Sequence, residues 1–265
     1  MGNRSYELIK KGLSHVVWNV VPILGFLLVW ETATLLTRIG NLMPGPSEVL
    51  ASFFRSFVTP LGPYTIQVHT LFSLQRILVG YGAAVITGIL FGMGIGLSKV
   101  FCSIFRPIFE LIRPIPTVAW IPISILWFGI DEMSKYFIVF YGAFSNVALS
   151  VYMGIHRVDS VLVGAAKMLG CSDRQITFKV VLPSTVPYIF SGMQVALSAG
   201  IMSVVVAEMI NSTEGIGWNI HAGQQIANMT QVLTGMVSLA ILGLLLAATL
   251  RQIERKLLRW NERSG

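Results

Sequence analysis

Long runs of apolar residues, separated by short polar stretches, fill the chain from about residue 17 to residue 250. Six runs approach the roughly 20 residues that a helix needs to cross the hydrocarbon of a bilayer. They predict spans at 17–36, 73–97, 107–128, 136–155, 187–208 and 231–250. The first run follows Lys10 and Lys11, as a signal peptide would, but no small-residue cleavage pattern comes after it. It therefore reads as an uncleaved anchor. The expected fold class is an all-α integral membrane protein with six transmembrane helices over 17–250, a segment 1–16 before them and a basic tail at 251–265.

Several positions break the simple pattern. Gly88, Gly92 and Gly96 recur every fourth residue, so one face of the second span lacks side chains and admits a close neighbour. Packing within the chain or an interface between subunits would each use such a face. The third span carries Pro107, Pro114, Pro116 and Pro122, each without a backbone donor, and should be kinked or partly unwound. Loose backbone is not tolerated in lipid, so this stretch should face protein or a water-filled path. Glu110 and Arg113 stand three apart and could pair across one helical turn, either at depth or at the interface. Pro46-Ser47 predicts a helix start with Ser47 as N-cap, which puts Val49, Leu50, Phe53, Phe54 and Phe57 on one face of a short helix lying on the membrane or against the spans. The stretch 211–230 is polar and nearly uncharged, and reads either as a contact for an incoming ligand or its carrier, or as a connecting loop.

Composition strengthens the membrane reading: 54% of the 265 residues are apolar and 12% charged, more apolar surface than a soluble domain of that length buries. The net charge of +7 would suit nucleic acid only if the charges clustered on one face. Instead they cluster in the loops between apolar segments, which argues for membrane orientation. Fourteen of the 19 Lys and Arg fall on the side of the N-terminus and three on the other (Arg38, Arg55 and Lys135), with Arg76 and Arg113 in or beside spans. Such a bias places both termini in the cytoplasm. Cys102 and Cys171 form no ligand spacing, and the four histidines make no HxxxH pair, so no metal site is expected.

Between the fourth and fifth spans, residues 156–186 are too polar for the membrane and too long for a turn. The pattern predicts a helix from Val161 to Leu169, a break at Gly170 with a Ser/Asp cap, and a second helix from Arg174 to Leu182 stopped by Pro183. Gly164, Ala165 and Ala166 leave one helical surface nearly bare. Bordered by Lys167, Arg174 and Lys179, that surface can dock into a groove on another protein.

Gly164-Ala165-Ala166, Gly170, Ile176 and Leu182-Pro183 resemble the EAA signature of ABC importer permeases, with Gly164 standing where the family usually has Glu. Glu110-Leu-Ile-Arg113-Pro-Ile-Pro116-Thr-Val-Ala-Trp120-Ile-Pro122, Trp127-Phe-Gly129, Ala207-Glu208 and Gly215-Ile-Gly217 resemble the nitrate, sulfonate and taurine group of these permeases. The resemblance implies a type I importer permease in the bacterial inner membrane whose 156–186 segment is the coupling helix. It also implies two separate ATPase subunits that hold ATP and Mg, a second permease copy, and an external solute-binding protein. No Gly-Lys dipeptide occurs, so the chain lacks a P-loop and no cofactor or catalytic residue is assigned to it. For a small anionic solute, Glu110, Arg113, Trp120, Asn146, Gln194 and Glu208 are the candidates to line a path, or else they hold helices together. An ion-gradient-driven secondary transporter using Glu31, Glu110 and Glu208 is the alternative, and it leaves the 156–186 helices without a role.

Overall fold

The computed structural model describes residues 2–37, 40 and 42–258. Arg38, Arg259 and Arg263, counted in the charge bias, lie outside the described residues. The described residues form helices and no strands: α1 (Gly2–Leu36), α2 (Pro46–Arg55), α3 (Ile66–Leu97), α4 (Lys99–Ile112), α5 (Ile121–Phe128), α6 (Glu132–His156), α7 (Ser160–Met168), α8 (Asp173–Ile176), α9 (Leu182–Asn211), α10 (Ile216–Gln225) and α11 (Met229–Leu257).

Four helical stretches are long and apolar enough to cross a membrane: α3, α6, Asp173–Ile210 and α11. The third expected span is broken as the prolines require, since α4 and the stretch Thr117–Phe128 meet at 98°. Pro114 and Pro116 occupy the break, and Pro122 falls in the first turn of α5, where a missing donor costs nothing. Counted as one span, that pair makes a fifth; the first expected span corresponds to a shorter apolar stretch, Val20–Leu36.

The core is built on α6, which packs closely against α3 on one side and α9 on the other. The glycine face accounts for the first of these contacts. A Cβ on Gly88 would lie 2.9 Å from Val147 Cβ, one on Gly92 would lie 2.6 Å from the Ala148 carbonyl oxygen, and one on Gly96 would lie 2.6 Å from Ile155 Cδ1. The face is therefore used inside the chain, against α6. Gly154 of α6 repeats the device toward α9, where an added Cβ would be 2.7 Å from Tyr188 Cβ. Backbones this close gain dispersion contacts that apolar side chains in lipid cannot supply by the hydrophobic effect. Gly92→Val should prevent α3 from seating on α6 and abolish monodisperse protein on size exclusion, whereas Gly82→Ala, with no atom within 4 Å of the added carbon, should leave the profile unchanged.

The start of α2 differs from the expectation. Gly45 is the N-cap and Pro46 the first helical residue, so Ser47 sits inside the first turn. Ser47 instead binds Glu31 of α1, its backbone N–H donating to Oε2 at 3.1 Å and its hydroxyl to Oε1 at 2.7 Å. A carboxylate borrowed from the preceding helix thus caps α2. The opposite end of the contact set is α11, where Thr230 donates to Glu48 (2.7 Å) and Thr234 to Ser52 (3.0 Å). Of the expected apolar face only Val49 is buried, while Leu50, Phe54 and Phe57 are exposed. The stretch 211–230 is likewise not a plain loop. It contains α10, packed on α11, α9 and α3, with buried Asn219 accepting from Gln231 Nε2 at 2.9 Å.

Candidate functional site

The segment 156–186 folds as a helix, a turn and a second helix. Asp159 caps α7 by accepting from Val161 N–H (2.8 Å). α7 ends in a Schellman turn: Gly170 adopts φ 75°, its N–H donates to the Lys167 carbonyl at 2.9 Å, and Cys171 N–H reaches the Ala166 carbonyl at 3.1 Å. Gly170 is required there, because a side chain is strained at that φ. Ser172 then starts α8 through a capping box with Gln175.

Pro183 does not stop the second helix. Residues Thr177–Val181 form a wide turn in which Leu182 N–H donates to the Thr177 carbonyl, and the helix continues through Pro183 into α9. The extra residue in this turn shifts the register just before the proline, whose missing donor would otherwise interrupt the ladder. The second half of the segment and the span are consequently one continuous helix, Asp173–Ile210.

Exposure along the segment is uneven. Gly164 has open space beside it and Ala165 is exposed, but Ala166 and Ile176 are buried. Val161, Leu162, Met168 and Leu169 join Ala165 on one exposed face of α7, at helical spacing, with Met168 91% and Leu169 83% exposed. Lys167, Arg174 and Lys179 are exposed around it. An exposed apolar face with charged borders is the kind of surface that a partner protein or a membrane covers.

The six candidate path residues do not come together. Glu110 pairs with Arg106 (Nε to Oε1, 2.8 Å) rather than with Arg113, which is exposed at the bend after α4. Trp120 packs on Tyr141 with ring centroids 4.7 Å apart, and Asn146 donates to the Gly142 carbonyl of its own helix. Gln194 joins α9 to α11 by donating to Glu254 Oε2 at 2.6 Å.

Glu208 belongs to a buried charge cluster that centres on Arg76. All five guanidinium N–H groups of Arg76 are used: Nε and Nη2 grip the Glu132 carboxylate (2.8 and 2.7 Å), Nη1 reaches Glu208 Oε1 (2.9 Å) and the Glu214 carbonyl (2.8 Å), and Nη2 also reaches Glu214 Oε1 (3.0 Å). Lys135 adds a second cation on Glu132 at 2.7 Å. Glu208 further accepts from Ser73 Oγ and Gly217 N–H, both at 2.8 Å. His69 Nδ1 accepts from Gly215 N–H (3.1 Å) while its ring stacks on Trp218. The cluster ties α3, α6, α9 and the turn before α10 at one end of the molecule. The charge pattern alone leaves Arg76 in or beside a span and Lys135 in a loop; the available signal is one Arg and one Glu, each alone in an apolar run, since such charges are stable only when paired.

Residues 84–259 match the family model described as "Binding-protein-dependent transport system inner membrane component". The chain is 36% identical to the taurine transport system permease protein TauC of Escherichia coli (strain K12), covering 93% of this chain and 90% of that one. It is 33% identical to the putative aliphatic sulfonates transport permease protein SsuC of Bacillus subtilis, over 72% and 70%. It is 30% identical to the nitrate import permease protein NrtB of Synechococcus elongatus, over 89% and 86%. The fold matches an inward-facing structure of the MetNI methionine ABC transporter with a TM-score of 0.57 at 19% identity, over 72% of this chain and 93% of that one. With the family model covering about two thirds of its length and these relatives 72% to 93% of it, the chain belongs to the inner-membrane permease components of binding-protein-dependent ABC importers.

Proposed function

We propose that this permease moves a small anionic or zwitterionic solute, such as a sulfonate, taurine or nitrate, by alternating access driven by a separate ATPase. The observation that carries the coupling is the exposed apolar face of α7, which a single turn links to α8, itself continuous with the span α9. ATP binding closes two partner ATPases around Mg and nucleotide. Their grooves shift the 156–186 segments of two permease copies, and the path opens outward to an external solute-binding protein; hydrolysis resets it inward. This reading sets 156–186 and both termini in the cytoplasm, uses six spans with Val20–Leu36 as the first, and assigns the chain to the bacterial inner membrane. Names of relatives that carry taurine, sulfonates and nitrate support the solute class.

Arg113 is the candidate anion contact along the path, because it is exposed at the bend, whereas Arg76 has no donor left to offer. The test is uptake of labelled taurine, an alkanesulfonate and nitrate into proteoliposomes holding the permease, its ATPase and its binding protein. Uptake of one of them should require ATP on the ATPase side of the membrane and persist when ion gradients are collapsed. Uptake that continues without the ATPase and stops with the gradient would establish the secondary-transport alternative instead.

A further inference from the structure

Pairing leaves a second cationic group free. A cleft of about 690 Å³ opens between α4 and the ends of α3 and α6, with His156 of α6 among its lining residues. Its near wall is the polar stripe of α4, where Lys99, Cys102, Ser103, Arg106 and Glu110 recur at helical spacing. The other side of α4 is apolar and exposed at Val100, Ile104, Ile108 and Leu111, as on a helix that lies against lipid.

Arg106 is oriented within this cleft. Its Nε donates to Glu110 Oε1 at 2.8 Å, and its guanidinium carbon lies 5.1 Å from the centre of the Tyr152 ring. Tyr152 is itself flanked by His156, with ring centroids 4.3 Å apart. Two contacts thereby hold the guanidinium at the cleft. Nη1 and Nη2 have no partner among the described residues, and neither has the Lys99 ammonium. The contrast with Arg76, whose five donors are all spent, is direct. Two cations against one carboxylate leave the cleft positive, and a planar guanidinium fork fits the oxygens of a tetrahedral oxoanion.

We propose that this cleft binds a tetrahedral oxoanion, a phosphate or sulfonate group, on Arg106 and Lys99. The Lys and Arg bias assigns it to the cytoplasmic end of the spans, where such a group is carried either by an anionic lipid headgroup or by a free anion. The inference rests on membrane embedding and not on which solute is transported, so the uptake assay and the binding test can fail separately.

Cys102 lines the cleft and serves as a built-in reporter, and the chain has one other cysteine, Cys171. The full chain carrying Cys171→Ser is placed in phosphatidylcholine nanodiscs, and the rate of Cys102 alkylation by N-ethylmaleimide is measured. One arm adds phosphatidylglycerol to the disc; the other adds inorganic phosphate or methanesulfonate to the buffer. Occupancy at a few times the dissociation constant should slow alkylation about fivefold. Arg106→Gln and Lys99→Gln, both at exposed positions, should each remove most of the slowing. Protection by phosphatidylglycerol alone assigns the site to lipid, and protection by the soluble anions assigns it to a free oxoanion. No protection in either arm, or protection undiminished in both variants, overturns the proposal.

Discussion

Ala165→Glu is expected to release the ATPase from the permease and bring uptake to background, while the permease itself stays folded. Ala165 is exposed on α7, so a longer side chain there can extend into the open space outside the chain. What it meets is the partner. A carboxylate placed amid Val161, Leu162, Met168 and Leu169 must be desolvated when that face enters a groove, at a cost of several kcal/mol without a matching cation. Each 1.4 kcal/mol is a factor of ten in affinity, so the loss is complete on the scale of a purification. Co-purification of the tagged permease with its ATPase is the measurement, with size exclusion of the permease alone as control. Ala166→Glu is the contrasting variant: Ala166 is only 8% exposed, and a charge there should destabilise the segment itself. If Ala165→Glu retains the ATPase at wild-type stoichiometry, α7 is not the docking face.

Arg76→Met should be the most destabilising single change in the spans, lowering stability by about 3–5 kcal/mol, the usual cost of removing one partner from a buried charge network. The arithmetic is local. Arg76 and Lys135 face Glu132, Glu208 and Glu214, and removing Arg76 leaves three carboxylates with one ammonium, with the Glu208 side chain wholly buried. Glu214→Gln should cost much less, since that side chain is partly exposed at 19% and Arg76 keeps the Glu214 carbonyl. Thermal loss of the monodisperse species in detergent ranks the variants. An Arg76→Met protein as heat-resistant as the parent would mean that the cluster does not hold the α3, α6 and α9 ends together.

Membrane embedding, the proline-broken span and the helical character of 156–186 were legible in the sequence, because hydrophobic length, missing donors and capping residues act over a few neighbouring positions. The glycine repeat was legible too, though not its partner. The end of the segment was not: Pro183 ordinarily terminates a helix, but a wide turn one residue earlier absorbs it, and turn width is set by packing against the rest of the chain. The role of Ser47 was hidden for a similar reason, since its acceptor, Glu31, sits on another helix.

The residue types along the chain determined that it lies in a bilayer, that its Lys and Arg gather in some loops and not in others, and that no Gly-Lys of a P-loop occurs in it. Tertiary structure alone decided which charges are free. Arg76 and Arg106 look alike in sequence, each a cation in or beside an apolar run, yet one is saturated by three carboxylates from distant elements and the other keeps both of its Nη groups open to a cleft. Local pattern fixes what a side chain is and which face of its helix it occupies; only the packing of helices far apart in sequence fixes what lies opposite, and that is what decides whether a charge holds the fold or remains open to a ligand.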